Sequence, residues 1–282
     1  MPTTVNFNGL TFSSDINATY KLMTLDGWYS APPVRPILTD RPNTDGSFNT
    51  GKVYRSSRVI TLTGWLVSTS ATEAINTMWR RFASTMSDGQ PFTLTVADDV
   101  NTLYSTVVLN SPPEIRPIKG TAAQVTVQFV AVDPIKYDAP VSTTFGLAGV
   151  YGGGLKFPLF TGGVLDFTST ASIGNINLTN SGTAPVYPTF TITGPALSGF
   201  NITYAQTGAV VGCSYPLNTG DSITVNQRTG RLTLNNTLDI TSYLASSGFF
   251  AISPLTTATI YAQGRGGTAT GNITITMSNG YW

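Results

Sequence analysis

The 282-residue chain has no histidine, one cysteine and few charges, 15 Lys plus Arg against 14 Asp plus Glu. Without imidazole there is no Ser-His-Asp or Cys-His nucleophile pair, no proton shuttle near neutral pH and no mixed Cys/His zinc site. Cys213 alone closes no intrachain disulfide and forms no CxxC motif, a pattern consistent with folding in a reducing cytoplasm. The net charge of +1 provides no basic field for nucleic acid and no acidic field for cations. Partners therefore have to be recognised by shape and local patches. The opening residues MPTTVNFNGL lack a basic n-region and an apolar h-region, so no signal peptide is expected. No apolar run reaches the roughly 18 residues that a bilayer span requires, and no membrane insertion is expected.

The scarcity of charge has a location. Residues 1–140 carry 11 basic and 11 acidic residues, whereas 141–282 carry 4 and 3, and 167–220 carry none at all. What fills that span is Thr, Asn, Ser and Gly alternating with single apolar residues, a pattern that predicts strands with a hydroxyl-covered outer face. The Gly-rich stretch 141–164, with Gly152, Gly153 and Gly154 in a row, reads as a linker between a first domain over 1–140 and a second over 165–282.

The first domain contains one convincing helix, over 71–87. Ser70 and Glu73 have capping-box spacing, and Ala71, Ile75, Met78, Trp79, Phe82 and Met86 form one apolar stripe. Asp88-Gly89 and Pro91 end it. Val59–Val67, Phe92–Val96, Leu103–Leu109 and Val125–Val132 are β-branched runs of strand length. Together they predict a β-sandwich or barrel with the helix packed on its sheet.

In the second domain Ile223 and Val225 are answered by Leu232 and Leu234 across Arg228-Thr229-Gly230, a hairpin signature in which Gly230 supplies a positive φ. Further strands are expected at Asn175–Leu178, Thr189–Thr193, Phe200–Tyr204, Phe249–Ile252, Ala258–Ala262 and Asn272–Met277. Short strands at this spacing predict a second antiparallel sandwich.

Candidate chemistry is sparse. Asp98 and Asp99 are the only adjacent carboxylates, and they read as turn residues, because neighbours on a strand point apart and glycosidic hydrolysis needs two carboxylates flanking one bond. Glu73 and Glu114 are the only glutamates, and the first is assigned to the cap. Gly152–Gly154 lacks the Lys-Ser or Lys-Thr of a phosphate loop, and Gly264-Arg265-Gly266-Gly267 reads as a β-turn. No catalytic, cofactor-binding or metal-ligating residues are expected. Five Asn-x-Ser/Thr sequons, at Asn17, Asn177, Asn201, Asn235 and Asn272, are expected to stay unmodified. The aromatics Tyr187, Tyr204, Tyr215, Tyr243, Tyr261, Tyr281 and Trp282 could form a sugar face, a protein-docking face or core.

The order of elements carries a family resemblance. RVITLTG from Arg58 to Gly64, the amphipathic helix, PFTLTV, and QVTVQFVAVDPIKY with Asp133-Pro134 and Tyr137 resemble the N-terminal domain of distal tail proteins from long-tailed phages. NSGTAPVYPTFTITG from Asn180 and GDSITVNQRTGRLTLNN from Gly220 resemble the galectin-like C-terminal sandwich of the same family. The resemblance implies a homo-oligomeric ring, usually a hexamer, at the distal end of the virion's tail. That ring joins the tail tube and tape-measure protein to the tail-tip hub or receptor-binding proteins, with its channel as a path for DNA. The chain departs from the family at Pro254-Leu255, where the family often has Pro-Gly before the penultimate strand, and shows no inserted carbohydrate-binding module.

Low charge suits a protein whose faces are covered by neighbours. The segment 31–52, with four Pro and two Gly, is too long for an ordinary hairpin loop and is expected to reach a neighbouring subunit or the tube. Pro36, Arg41 and Phe48 on it, and Arg55, Arg58, Arg80 and Arg81 as ion-pairing groups, are the expected subunit or tube contacts. Tyr187, Tyr215, Tyr243 and Tyr261 are the expected outer contact face. A structural hub accounts for more of these features than a carbohydrate-binding adhesin, and an enzyme accounts for fewest.

Overall fold

The computed structural model describes residues 2–36, 38–48, 51, 53–67, 72–85, 89–119, 121–148, 174–266 and 269–282. The chain divides into two compact units, Met1–Ala139 with Tyr281–Trp282, and Pro140–Gly280.

The first unit is built on a closed seven-stranded barrel. Its strands are β1 (Thr4–Phe7), β2 (Leu10–Ser13), β3 (Tyr20–Asp26), β4 (Arg58–Val67), β5 (Phe92–Ala97), β6 (Thr102–Leu109) and β7 (Ala122–Ala131). They run in the order β7-β4-β3-β2-β1-β5-β6, and β6 closes onto β7 through Val108↔Val130 and Leu109↔Phe129. Closure removes the free edges that an open sheet would present. Neighbours are antiparallel except β2 and β3, which meet in parallel at Ser13↔Lys21. Strict alternation in β4 and β7 turns Ile60, Leu62 and Leu66, and Val125, Val127 and Phe129, into the core.

The expected helix is α1 (Thr72–Thr85); Ser70, Ala71, Met86 and the side chains of Glu73, Ile75 and Met78 lie outside the described residues. Its Phe82 is fully buried, edge-on to Phe7 at 6.3 Å and to Phe12 at 6.1 Å. Edge-to-face rings at this separation add to the burial itself, so Phe82 ties the helix to the barrel core. The four expected strands of this unit are present. The N-terminal hairpin β1–β2 is an addition, and its two-residue turn is Asn8-Gly9, with φ of 46° and 75°. Asn-Gly is the sequence that this left-handed turn favours.

The second unit is a sandwich. Its strands are β8 (Val141–Gly146), β9 (Asn175–Asn180), β10 (Thr189–Thr193), β11 (Phe200–Tyr204), β12 (Ala209–Cys213), β13 (Ser222–Asn226), β14 (Arg231–Leu234), β15 (Leu238–Asp239), β16 (Leu244–Ser247), β17 (Thr256–Gly264) and β18 (Asn272–Met277). One sheet has the order β8-β18-β10-β13-β14-β15 and the other β9-β17-β11-β12-β16. Phe250 joins them, contacting Phe190 of the first sheet at 5.9 Å and Tyr204 of the second at 4.8 Å. The hairpin register is the expected one, Ile223↔Leu234 and Val225↔Leu232, with Gly230 at φ 68°.

The hydroxyl-covered face is present as a ladder. Thr144, Thr274, Thr191, Thr224 and Thr233 stand opposite one another across five adjacent strands. Thr144 and Thr274 share a hydrogen bond of 2.7 Å, and Ser142 and Thr276 one of 2.8 Å. Such cross-strand pairs stabilise a sheet face without charge.

Two expectations are corrected. Residues 141–146, read as the start of a linker, form β8, because Val141 to Gly146 pair along their whole length with β18; the rest of that stretch from 149 on, including Gly152–Gly154, lies outside the described residues. Phe249–Ile252 is not a strand. Only Ile252 bridges, to Val186, because Phe250 turns into the core and the backbone N–H of Phe250 is taken by the Gln227 side chain at 3.0 Å.

Candidate functional site

The most distinctive surface feature is an arm between β3 and β4, the segment from Pro32 to Ser56. It is a two-stranded ribbon in two short ladders, Val34↔Arg55 with Arg35↔Tyr54, and Thr39↔Phe48 with Asp40↔Ser47. The turn at its end closes through Arg41 N–H to the Gly46 carbonyl at 3.0 Å. Near that end the Arg41 guanidinium lies 5.6 Å from the Phe48 ring centroid, and Ser47 Oγ donates to Asp40 at 3.0 Å. Pro36 and Arg41 are exposed. So are the apolar side chains Val34, Leu38, Phe48, Val53 and Tyr54, each 47–65% accessible. A two-stranded ribbon is marginal in water by itself, and exposed apolar groups gathered on one projects its need for a covering surface.

The root of the arm is held by cations, and here the sequence expectation for Arg58 is corrected. Arg58 is 1% exposed, with its guanidinium turned into its own chain. Its Nη1 donates to the carbonyls of Gly27 (2.7 Å), Trp28 (3.1 Å) and Ser30 (2.5 Å), and its Nε donates to Pro134 (3.1 Å). Lys136, 4% exposed, donates Nζ to the Trp28 carbonyl at 2.8 Å and lies 5.3 Å from the Trp28 ring centroid. Gly27 belongs to this cage for a steric reason: its φ is 81°, and a Cβ there would run into the Val59 carbonyl oxygen.

Burial lowers the Arg58 pKa, with Arg55 adding to the effect. Burial also pushes Lys136 down to about 8, again with help from a neighbouring cation, Arg58, and against the opposing pull of Asp98. The Asp98 carboxylate is held below its usual range by the backbone N–H groups of Asn101 and Val100. Asp98 is thus the turn residue that the sequence predicts.

Arg55 sits at the same root. Its Nη1 donates to the Pro32 carbonyl at 3.1 Å, and its guanidinium lies 4.4 Å from the Trp282 ring centroid. Tyr281 packs against the barrel core, so the last two residues of the chain are part of the first unit. Arg80 is exposed on α1, and the Arg81 side chain lies outside the described residues.

The four tyrosines expected on an outer face do not form one platform. Tyr215 and Tyr243 make a perpendicular pair at 4.9 Å. Tyr187 lies before β10 with Arg228 5.8 Å from its ring centroid. Tyr261 is 42% exposed on β17, between Asn175 and Thr203 on the neighbouring strands. Tyr204 is core.

Sequence reasoning missed Lys136 and Trp28. The available signal was Arg58 itself, a cation opening a β-branched strand at an inward-facing position. It missed Asn180 as well. That side chain is fully buried and donates to Ala184, Ile252 and Ser253 carbonyls while accepting from Gly182 N–H, which explains the NSGTAP motif as a backbone-satisfying turn.

Two family models match the sequence, a phage tail protein RIFT-related domain over residues 18–131 and a siphovirus-type tail component C-terminal domain over residues 181–281. No curated protein matches it. Among solved structures, the SPP1 Dit (gp 19.1) protein, described as a paradigm of hub adsorption apparatus in phages infecting Gram-positive hosts, is similar with a TM-score of 0.69 and 15% identity, over 99% of each chain. A chain of the phage p2 baseplate in its activated conformation with Sr is similar with a TM-score of 0.51 and 9% identity, over 98% of this chain and 97% of that one. These structural likenesses bear on the fold. No helix among the described residues is long and apolar enough to cross a membrane.

Proposed function

We propose, on the premise that this chain belongs to the distal tail protein family of siphovirus-type phages and is a structural component of the tail hub, that six copies close into a ring. In that ring the barrel units surround a central channel. The ring joins the tail tube and tape-measure protein on one side to the tail-tip hub or receptor-binding proteins on the other. The virion is then the site of action, after synthesis in the host cytoplasm, and no catalytic role is assigned.

The observation that carries this reading is the arm. A ribbon with five exposed apolar side chains, anchored at its root by buried cations, has the form of a contact element. We assign Pro36, Arg41 and Phe48 to the contact with a neighbouring subunit or the tube, and Arg80 and Arg81 to ion pairs around the ring. Each exposed pair contributes about 0 to 1 kcal/mol, so their effect is read through sixfold repetition. The Tyr215–Tyr243 pair, Tyr187 and Tyr261 are assigned to tail-tip partners. Deletion of 38–50 tests the reading: the barrel should fold and the ring should be lost in electron micrographs. An unchanged ring contradicts it.

A further inference from the structure

The ribbon from Pro32 to Ser56 is held together at its root by bonds between its own two strands. Ser56 N–H donates to the Pro33 carbonyl at 2.7 Å, and Arg55 Nη1 donates to the Pro32 carbonyl at 3.1 Å. Such bonds keep the strands paired and leave open the direction in which the pair departs from the barrel. The root ladder has two residue pairs, Val34↔Arg55 and Arg35↔Tyr54, a marginal element that pivots readily about the chain on either side of it. A sideways contact is what fixes such an element. Arg55 makes one, with its guanidinium 4.4 Å from the Trp282 ring centroid.

Trp282 is itself presented by fixed structure. Tyr281, the residue before it, lies on a short strand beside Lys136–Tyr137, and its side chain packs on the barrel core. Lys136 on the adjoining strand is tied to the Trp28 carbonyl at 2.8 Å. The indole therefore stands at a place set by backbone pairing and core packing of the barrel unit, and not by the ribbon that it touches. Indole is the ring that attracts a cation best, and arginine is its commonest partner. The bond to Pro32 holds the planar guanidinium in place for that contact, so little side-chain freedom remains to be lost. One residue thus both zips the ribbon and ties it to the barrel. We propose that Trp282 is a clamp that sets the direction of the arm: with Arg55 against its indole the ribbon projects in one pose, and without that contact it swings about its root. The clamp rests on the geometry of the first unit, whereas the use of that pose for contact with a neighbouring surface rests on the reading of the arm given above.

The test reads the arm's pose in the full chain at the high dilution of single-molecule fluorescence, where no neighbour holds the arm. A dye pair is attached through Asp45→Cys, exposed at the turn of the arm, and Val100→Cys, 82% exposed on the barrel turn 98–101. Cys213 is fully buried and burial raises its thiol pKa, so it stays unlabelled. The otherwise unaltered chain should give one narrow peak of transfer efficiency. Trp282→Ala should shift and broaden that peak, and so should Trp282→Leu, which keeps apolar bulk without a ring. Trp282→Phe keeps a ring against the guanidinium and should preserve the narrow peak. Arg55→Met should reproduce the loss from the other side of the contact. An unchanged peak in Trp282→Ala or in Arg55→Met overturns the clamp. So does a Trp282→Leu peak that matches Trp282→Phe, since packing alone would then suffice. Mass photometry of Trp282→Ala separates the clamp from ring formation: a swung arm with an unchanged particle supports the clamp and counts against the arm's part in assembly.

Discussion

Arg58 and Lys136 donate to one acceptor, the carbonyl oxygen of Trp28, at 3.1 and 2.8 Å. Arg58 also satisfies the carbonyls of Gly27, Ser30 and Pro134, so replacing it with Met strands several backbone acceptors at once. The expected loss is about 3 to 5 kcal/mol in urea unfolding, the range seen when a buried charged hydrogen-bonding group is removed. Arg80→Met, at an exposed helix position, should stay within about 0.5 kcal/mol of wild type. Equal stabilities for the two variants would show that the cage is unimportant.

Lys136 gives the first unit a pH signature. Its pKa falls from 10.5 unfolded to about 8 folded, chiefly because burial disfavours the charge. Between those values the unfolded chain binds more protons than the folded one, so unfolding free energy rises with pH across the window from about 8 to about 10.5. The slope has an upper limit of about 1.4 kcal/mol per pH unit. Lys136→Met should remove it. Urea titrations of both proteins at pH 7.5, 8.5 and 9.5 check this, and parallel pH dependences refute it.

Leu255 has φ 55° and is 75% exposed, a left-handed backbone where a β-carbon is strained and packing gives little in return. Leu255→Gly should raise stability by about 1 kcal/mol, and Leu255→Val should lower it, since β-branching worsens the same clash. Thermal unfolding of the three proteins decides it, and a destabilised glycine variant refutes the strain.

How much of this was legible in the sequence varies with the range of the interaction. Strands with clean alternation, such as Arg58–Val67 and Asn272–Met277, were readable because every second residue enters the core. The hairpin at Arg228-Thr229-Gly230 was readable because turn chemistry is local. Barrel closure was not, since it requires β6 and β7, close in the chain, to stand at the two ends of the seven-strand order and meet there. Nor was the role of Arg58. A cation at a strand start reads as exposed until the fold brings Gly27, Trp28, Ser30 and Pro134 around it from two other segments. The arm was legible as an anomaly of length and proline content, and only the structure shows its paired strands and exposed apolar side chains. The tyrosines were legible as a set of aromatics and not as a surface, because Tyr261 lies on a strand while Tyr187 lies outside any strand, where periodicity says nothing of its direction.

The central claim is ring formation through the arm, and particle mass in solution tests it most directly. Mass photometry of the full chain, and of the same chain lacking 38–50, should show a discrete species of six chain masses for the first and single chains for the second. Single chains for both, or the same six-chain particle for both, would contradict the account.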